Sequence, residues 1–96
     1  MAGSRDGAIA RAGQCFDNGA YLAALRRLVA IPTESQIDGS LPALTRYCAE
    51  TMPALMDGMG FATRVIPNPR PGRGPVFVAT RIEDPSLPTV LVYGHG

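Results

Sequence analysis

The stretch that decides how this chain is interpreted is Val90-Leu91-Val92-Tyr93-Gly94-His95-Gly96, in which four apolar residues precede a histidine between two glycines. An apolar run without polar alternation is typical of a strand buried on both faces of a helix-covered sheet. In open α/β sheets, ligands bind at the carboxyl ends of the strands. We therefore expect a strand over Thr89–Tyr93 and a functional role for His95 at its end.

Two further strands are predicted upstream of this stretch. Phe61–Ile66 is rich in strand-forming residues and lies between Gly60 and Pro67, and Val76–Ile82 is nearly all apolar or β-branched. The connection over residues 67–75 is short and rich in proline and glycine. The two segments are therefore expected to pair as a hairpin.

Two amphipathic helices are predicted before the strands. The first starts near Asp17 or Asn18, which are good N-cap residues, and ends before Pro32. The second follows Ser40, and its apolar residues recur every three or four positions. Pro53 lies inside this second helix and is expected to kink or split it, because proline has no backbone N–H to donate.

The order of these elements predicts a mixed α/β fold, with two helices followed by three strands of a mixed sheet. Residues 1–16 are rich in glycine and alanine and are expected to form a loose leader, with a helix over Ala8–Gln14 left open. Residues 17–96 carry all the predicted elements, and no domain boundary is visible within them.

The composition argues against several classes of function. Nine arginines stand against eight acidic residues, the formal net charge is +1, and no block of like charge occurs. We therefore expect neither nucleic-acid binding nor membrane association. No segment resembles a signal peptide or a membrane span. Cys15 and Cys48 lack the spacing of a zinc ribbon or redox pair, which favours a reducing, cytoplasmic location.

Two places in the sequence could carry chemistry. His95 could bind a metal through one ring nitrogen, but a single imidazole makes no site, and on spacing alone an ordinary capped or terminal histidine is the favoured interpretation. Glu34 or Ser35 could lie at the rim of a pocket, but a helix stop followed by a turn is the favoured interpretation of that segment.

These parts together resemble a known family. The segments LVAIPTES (28–35), LMDGMGF (55–61) and PTVLVYGHG (88–96), in this order and with a hairpin before the last, are similar to the N-terminal part of the M20 metallopeptidases. That family of zinc amidohydrolases includes carboxypeptidases, dipeptidases, acetylornithine deacetylase and succinyl-diaminopimelate desuccinylase. The resemblance covers residues 17–96 and lies in the order and spacing of the segments.

The resemblance implies a role for His95 as a ligand of one zinc in a two-zinc centre. Gly96 would be the middle residue of a His-x-Asp motif, whose aspartate would follow it directly. In the complete enzyme, zinc would activate a water molecule and a glutamate would act as general base on a peptide or N-acyl amino acid.

The chain itself is expected to be an inactive N-terminal part of the catalytic domain, with no catalytic or cofactor-binding residue beyond the metal ligand His95. One ligand is too few to hold zinc stably, since structural and catalytic sites use three or more. An apolar strand without neighbours exposes its edges, so the chain is expected to self-associate. The alternative is a small, self-contained α/β binding or interaction module without catalysis.

Overall fold

The computed structural model describes residues 3–96, which divide into two units with the boundary between Ile31 and Pro32. The first unit is a helical hairpin formed by α1 (Arg5–Asp17) and α2 (Ala20–Val29). The turn between them is closed by Asn18, whose side-chain oxygen accepts a hydrogen bond of 2.9 Å from the Ala20 N–H.

The helix α1 occupies most of the segment that the sequence predicted to be a loose leader. Ser4 caps it, because its hydroxyl accepts a hydrogen bond of 3.0 Å from the Gly7 N–H. The alanines within the segment favour a helix, but no side chain of α1 is buried. A helix with no buried face needs no regular spacing of apolar residues, so the sequence of α1 lacks the pattern from which a helix is usually predicted. The helix predicted to start near Asp17 or Asn18 is confirmed as α2.

The second unit opens with a loop and a continuous helical run of three parts: α3 (Leu41–Arg46), a π-helical segment (Tyr47–Thr51) and α4 (Met52–Asp57). The Met52 N–H donates to the Tyr47 carbonyl, five residues back. In a regular α-helix the ring of Pro53 would clash with the carbonyl of Ala49. The wider π turn relieves this clash, so the predicted disturbance at Pro53 is confirmed.

The helical run ends in a Schellman motif centred on Gly60. The Phe61 N–H donates to the Met56 carbonyl at 3.2 Å, and the Gly60 N–H donates to the Asp57 carbonyl at 3.1 Å. Gly60 has a φ of 79°, in the left-handed region where a β-carbon is unfavourable. The helical run therefore ends at this glycine.

The two predicted strands and their hairpin are also confirmed. The strands β1 (Ala62–Ile66) and β2 (Val76–Thr80) pair in antiparallel fashion, with Ala62 opposite Thr80 and Ile66 opposite Val76. The connecting loop is braced by Asn68, whose side-chain amide donates to the Gly74 carbonyl at 3.1 Å. The half-buried face of the helical run packs against this hairpin, and the Cys48 thiol lies 3.8 Å from the Pro75 carbonyl oxygen.

The third predicted strand is not formed. In the part of the chain that the structure describes, the sheet has two strands, and Thr89–Tyr93 belongs to neither. A strand needs a neighbour to pair its N–H and C=O groups, and 89–93 has none in residues 3–96. The fold is therefore a small mixed α/β structure of helices and a two-stranded antiparallel sheet, rather than the three-stranded sheet expected.

Apolar side chains are unusually accessible in this fold. Val90, Leu91, Val92 and Tyr93 are 82%, 94%, 83% and 85% exposed, and no residue in the range 3–96 is fully buried. The most apolar stretch of the sequence thus lies in solvent. None of the helices within residues 3–96 combines the length and apolar character needed to cross a bilayer.

Candidate functional site

The structure brings together the two segments that the sequence singled out for chemistry. His95 and Gly96 line one wall of an open groove of about 420 Å³, and residues 33–37 line the other. About sixty residues separate these segments in the chain. Sequence reasoning considered each segment by itself and did not predict that they meet.

The loop of residues 33–37 is shaped by two successive turns. The Ile37 N–H donates to the Glu34 carbonyl at 3.2 Å, and the Ser40 N–H donates to the Ile37 carbonyl at 3.3 Å. These bonds confirm the turn interpretation of the segment. Glu34 and Ser35 are exposed, and both residues lie in the lining of the groove.

The groove combines an imidazole, a carboxylate and hydroxyl groups. The ring of His95 is exposed, Glu34 supplies the acidic side chain of the lining, and Thr33 and Ser35 contribute hydroxyls. Imidazole nitrogen and carboxylate oxygen are both good ligands for zinc. A cation or a polar substrate group is therefore the kind of ligand that this lining suits.

The residues present do not complete a zinc site. Within residues 3–96, no three side chains of the histidine, cysteine, aspartate and glutamate types lie close enough together to hold a metal ion. Zinc sites in proteins use at least three such ligands, and this groove offers His95 and Glu34. Among the ion pairs of residues 3–96, none joins His95 to a carboxylate that could orient its imidazole ring.

Neither cysteine lines the groove. Both are free thiols, Cys15 exposed and Cys48 half-buried. Burial raises the pKa of the Cys48 thiol above its ordinary value, so this thiol stays protonated and is a poor nucleophile near neutral pH. Its position against the hairpin is that of a small apolar side chain.

A second, smaller groove adjoins the first. It has a volume of about 170 Å³ and lies between residues 35–41 and the hairpin loop at Gly72 and Arg73. Ser35, Gln36 and Ile37 line both grooves. Sequence reasoning treated the arginine-containing hairpin loop as a simple connection, and nothing in its pattern indicated that Arg73 would face the 35–41 loop.

Comparison of the chain with protein families, with curated proteins and with solved structures found no match. Two features of the chain therefore bear on its function: the residues of the groove and the order of segments in the sequence. The groove contributes the stronger part, because it joins His95 to the 33–37 loop in space.

Proposed function

We propose that this chain is the N-terminal portion of a metal-dependent hydrolase that cleaves amide bonds in peptides or N-acyl amino acids, with His95 as a metal ligand. The observation that carries the proposal is the shared groove of His95 and residues 33–37. These are the segments LVAIPTES and PTVLVYGHG of the resemblance.

The exposed run before His95 supports the same proposal. Val90 to Tyr93 are each more than four-fifths exposed, and they carry no charge that would suit a solvated surface. A strand of this composition belongs between two neighbours in a sheet covered by helices. We infer that segments beyond residues 3–96 provide those neighbours, together with the ligands and the general base that the groove lacks.

The proposal has a direct biochemical test on the chain itself. Because His95 and Glu34 are too few to hold zinc, the purified chain should show neither stoichiometric zinc binding by calorimetry nor zinc-dependent hydrolysis of N-acetyl amino acids. His95→Ala serves as the control and should behave like the parent chain in both assays. Zinc-dependent hydrolysis by the parent chain, lost in His95→Ala, would show instead that the site is complete.

The coding sequence offers a second test. The codon that follows Gly96 in the source gene should encode aspartate, because the proposed motif places a carboxylate two residues after His95 to orient the imidazole. A polypeptide extended through the remaining ligands should then bind two zinc ions. A non-acidic residue at the next position would refute the assignment of His95.

A self-contained binding module is the competing proposal, and the exposed Val90 to Tyr93 run speaks against it. A complete module should be a monomer with a sharp, cooperative thermal transition. A portion of a larger domain should associate or melt broadly. Size-exclusion chromatography and calorimetry of the same sample distinguish the two.

The cytoplasm remains the proposed location. Cys15 and Cys48 are both free thiols, and free thiols persist in reducing compartments. Mass spectrometry of the chain from its native source, with thiols alkylated at lysis, should find both cysteines reduced.

A further inference from the structure

The two glycines that flank His95 have different surroundings. A β-carbon built on Gly94 would meet no atom of residues 3–96 within 4 Å. A β-carbon built on Gly96 would lie 2.5 Å from Cε1 of Tyr47, and 3.1 Å from both its Cζ and its hydroxyl oxygen. Real β-carbons essentially never approach another heavy atom within 3.0 Å. Gly96 therefore packs directly against the edge of the Tyr47 ring.

The position of that ring depends on the π turn. Tyr47 is the first residue of the π-helical segment, and its carbonyl accepts the Met52 N–H five residues on. The ring is half-buried, so it has less freedom than a side chain in solvent. Single π turns inside α-helices are frequent at functional sites. Here the turn presents an aromatic ring to the residue next to His95.

We infer that Tyr47 is a positioning residue, whose ring holds the segment 94–96 so that His95 faces the loop of residues 33–37. The inference rests on the proposed role of His95 as a metal ligand. Glycines on both sides leave the backbone at His95 with little restraint of its own. The contact at Gly96 supplies a restraint from the helical run, and the ring carbon rather than the hydroxyl makes the closest approach.

The contact itself can be tested by photochemical cross-linking. A benzophenone-bearing phenylalanine replaces Tyr47, and the irradiated chain is digested with trypsin, which cleaves after Arg46, Arg64 and Arg81. The probe then lies in peptide 47–64 and residues 94–96 lie in peptide 82–96. A cross-link between these peptides, located at residues 94–96 by fragmentation, supports the inference. A mixture of light and heavy chains confirms that the link is intramolecular. No link at 94–96 overturns the inference.

The positioning role is tested by nuclear Overhauser effects from the ring of His95, the chain's one histidine, to the side chains of Thr33 and Ile37. Tyr47→Phe should keep these signals, because it retains the ring carbon in contact with Gly96. Tyr47→Ala should lose them. Gly96→Ala should also lose them, since its methyl group displaces the ring, whereas the matched control Gly94→Ala should keep them.

Cross-strand signals between β1 and β2 provide the check on folding. Loss of the His95 signals with the strand signals intact is the expected result for Tyr47→Ala and Gly96→Ala. If His95 keeps its signals in either variant, or if both sets vanish together, Tyr47 has no specific positioning role and the inference is wrong. None of these measurements uses zinc, so a refutation leaves the metal-ligand proposal standing. Conversely, a non-acidic residue after Gly96 would refute that proposal and leave the Tyr47 contact standing.

Discussion

Replacing Leu91 with lysine should strongly weaken self-association of the chain. Leu91 is 94% exposed, so nearly its whole side chain is available for burial against another copy. Burying one leucine contributes about 1.5–3 kcal/mol, and a symmetric dimer buries two, for about 3–6 kcal/mol. Because every 1.4 kcal/mol is tenfold in affinity, the dissociation constant should rise by at least about 100-fold. The charge on lysine also disfavours pairing of the backbone of residues 90–93 with an extended segment of another copy.

Sedimentation velocity over a range of concentrations measures this change. The control is Leu87→Lys, which makes the same substitution at a residue that is 62% exposed and lies in the turn before the apolar run. We expect this control to associate like the parent chain. If the parent chain is a monomer at every concentration, or if the two variants weaken association equally, the apolar run is not the contact and the reasoning is refuted.

Three further substitutions test the local structure. Gly60→Ala should cost about 1–2 kcal/mol in the free energy of unfolding measured with urea, because alanine is strained at a positive φ. Pro53→Ala should raise the helical circular dichroism signal, since removing an interior proline recovers up to about 3 kcal/mol of helix stability. Ser86→Ala should raise the pKa of the Asp84 carboxyl, followed by carbon-13 NMR, because the hydroxyl and N–H of Ser86 donate to that carboxylate and lower its pKa.

Each of these substitutions has a result that counts against its physical reason. An unchanged stability in Gly60→Ala would mean that the helix does not end in the Schellman motif. A weaker helical signal in Pro53→Ala would mean that the π turn has another cause. The pKa of the Asp84 carboxyl is lower in the folded chain than in the unfolded chain. Its hydrogen bonds with Ser86 therefore stabilise the turn at pH values above the unfolded pKa, and this stabilisation is lost as the pH falls through the folded pKa. An Asp84 pKa unaffected by Ser86→Ala would contradict this.

Local chemistry made much of the second unit predictable from the sequence. The strand-forming runs on either side of residues 67–75 identified the hairpin. Pro53 correctly predicted a disturbance in the second helix. The form of that disturbance, a π turn, depends on how the helix relaxes around the missing N–H. In each case the residues act on neighbours that are only a few positions away in the chain. Effects over such short distances can be predicted from a sequence pattern.

The features that the sequence got wrong or left open concern what a segment meets in space. Thr89–Tyr93 has the composition of a central strand, but a strand needs a partner edge, and composition does not supply one. The leader contains good helix formers, but it buries no side chain, so it lacks the apolar period that identifies a helix. The groove shared by His95 and residues 33–37 is equally non-local, since no pattern in either segment points to the other.

The contact between Gly96 and Tyr47 connects these two kinds of result. Pro53 widens the helix locally, and the first residue of the widened turn is the one whose ring lies against Gly96. Pro53 lowers the stability of the helix, but the π turn that accompanies it contains the tyrosine that contacts the residue next to His95. If the π turn did not position Tyr47, an alanine at position 53 would give a more stable helix and leave the surroundings of His95 unchanged. Pro53→Ala therefore separates the two effects: it should strengthen the helix and, by shifting Tyr47, weaken the contacts of His95 with the 33–37 loop.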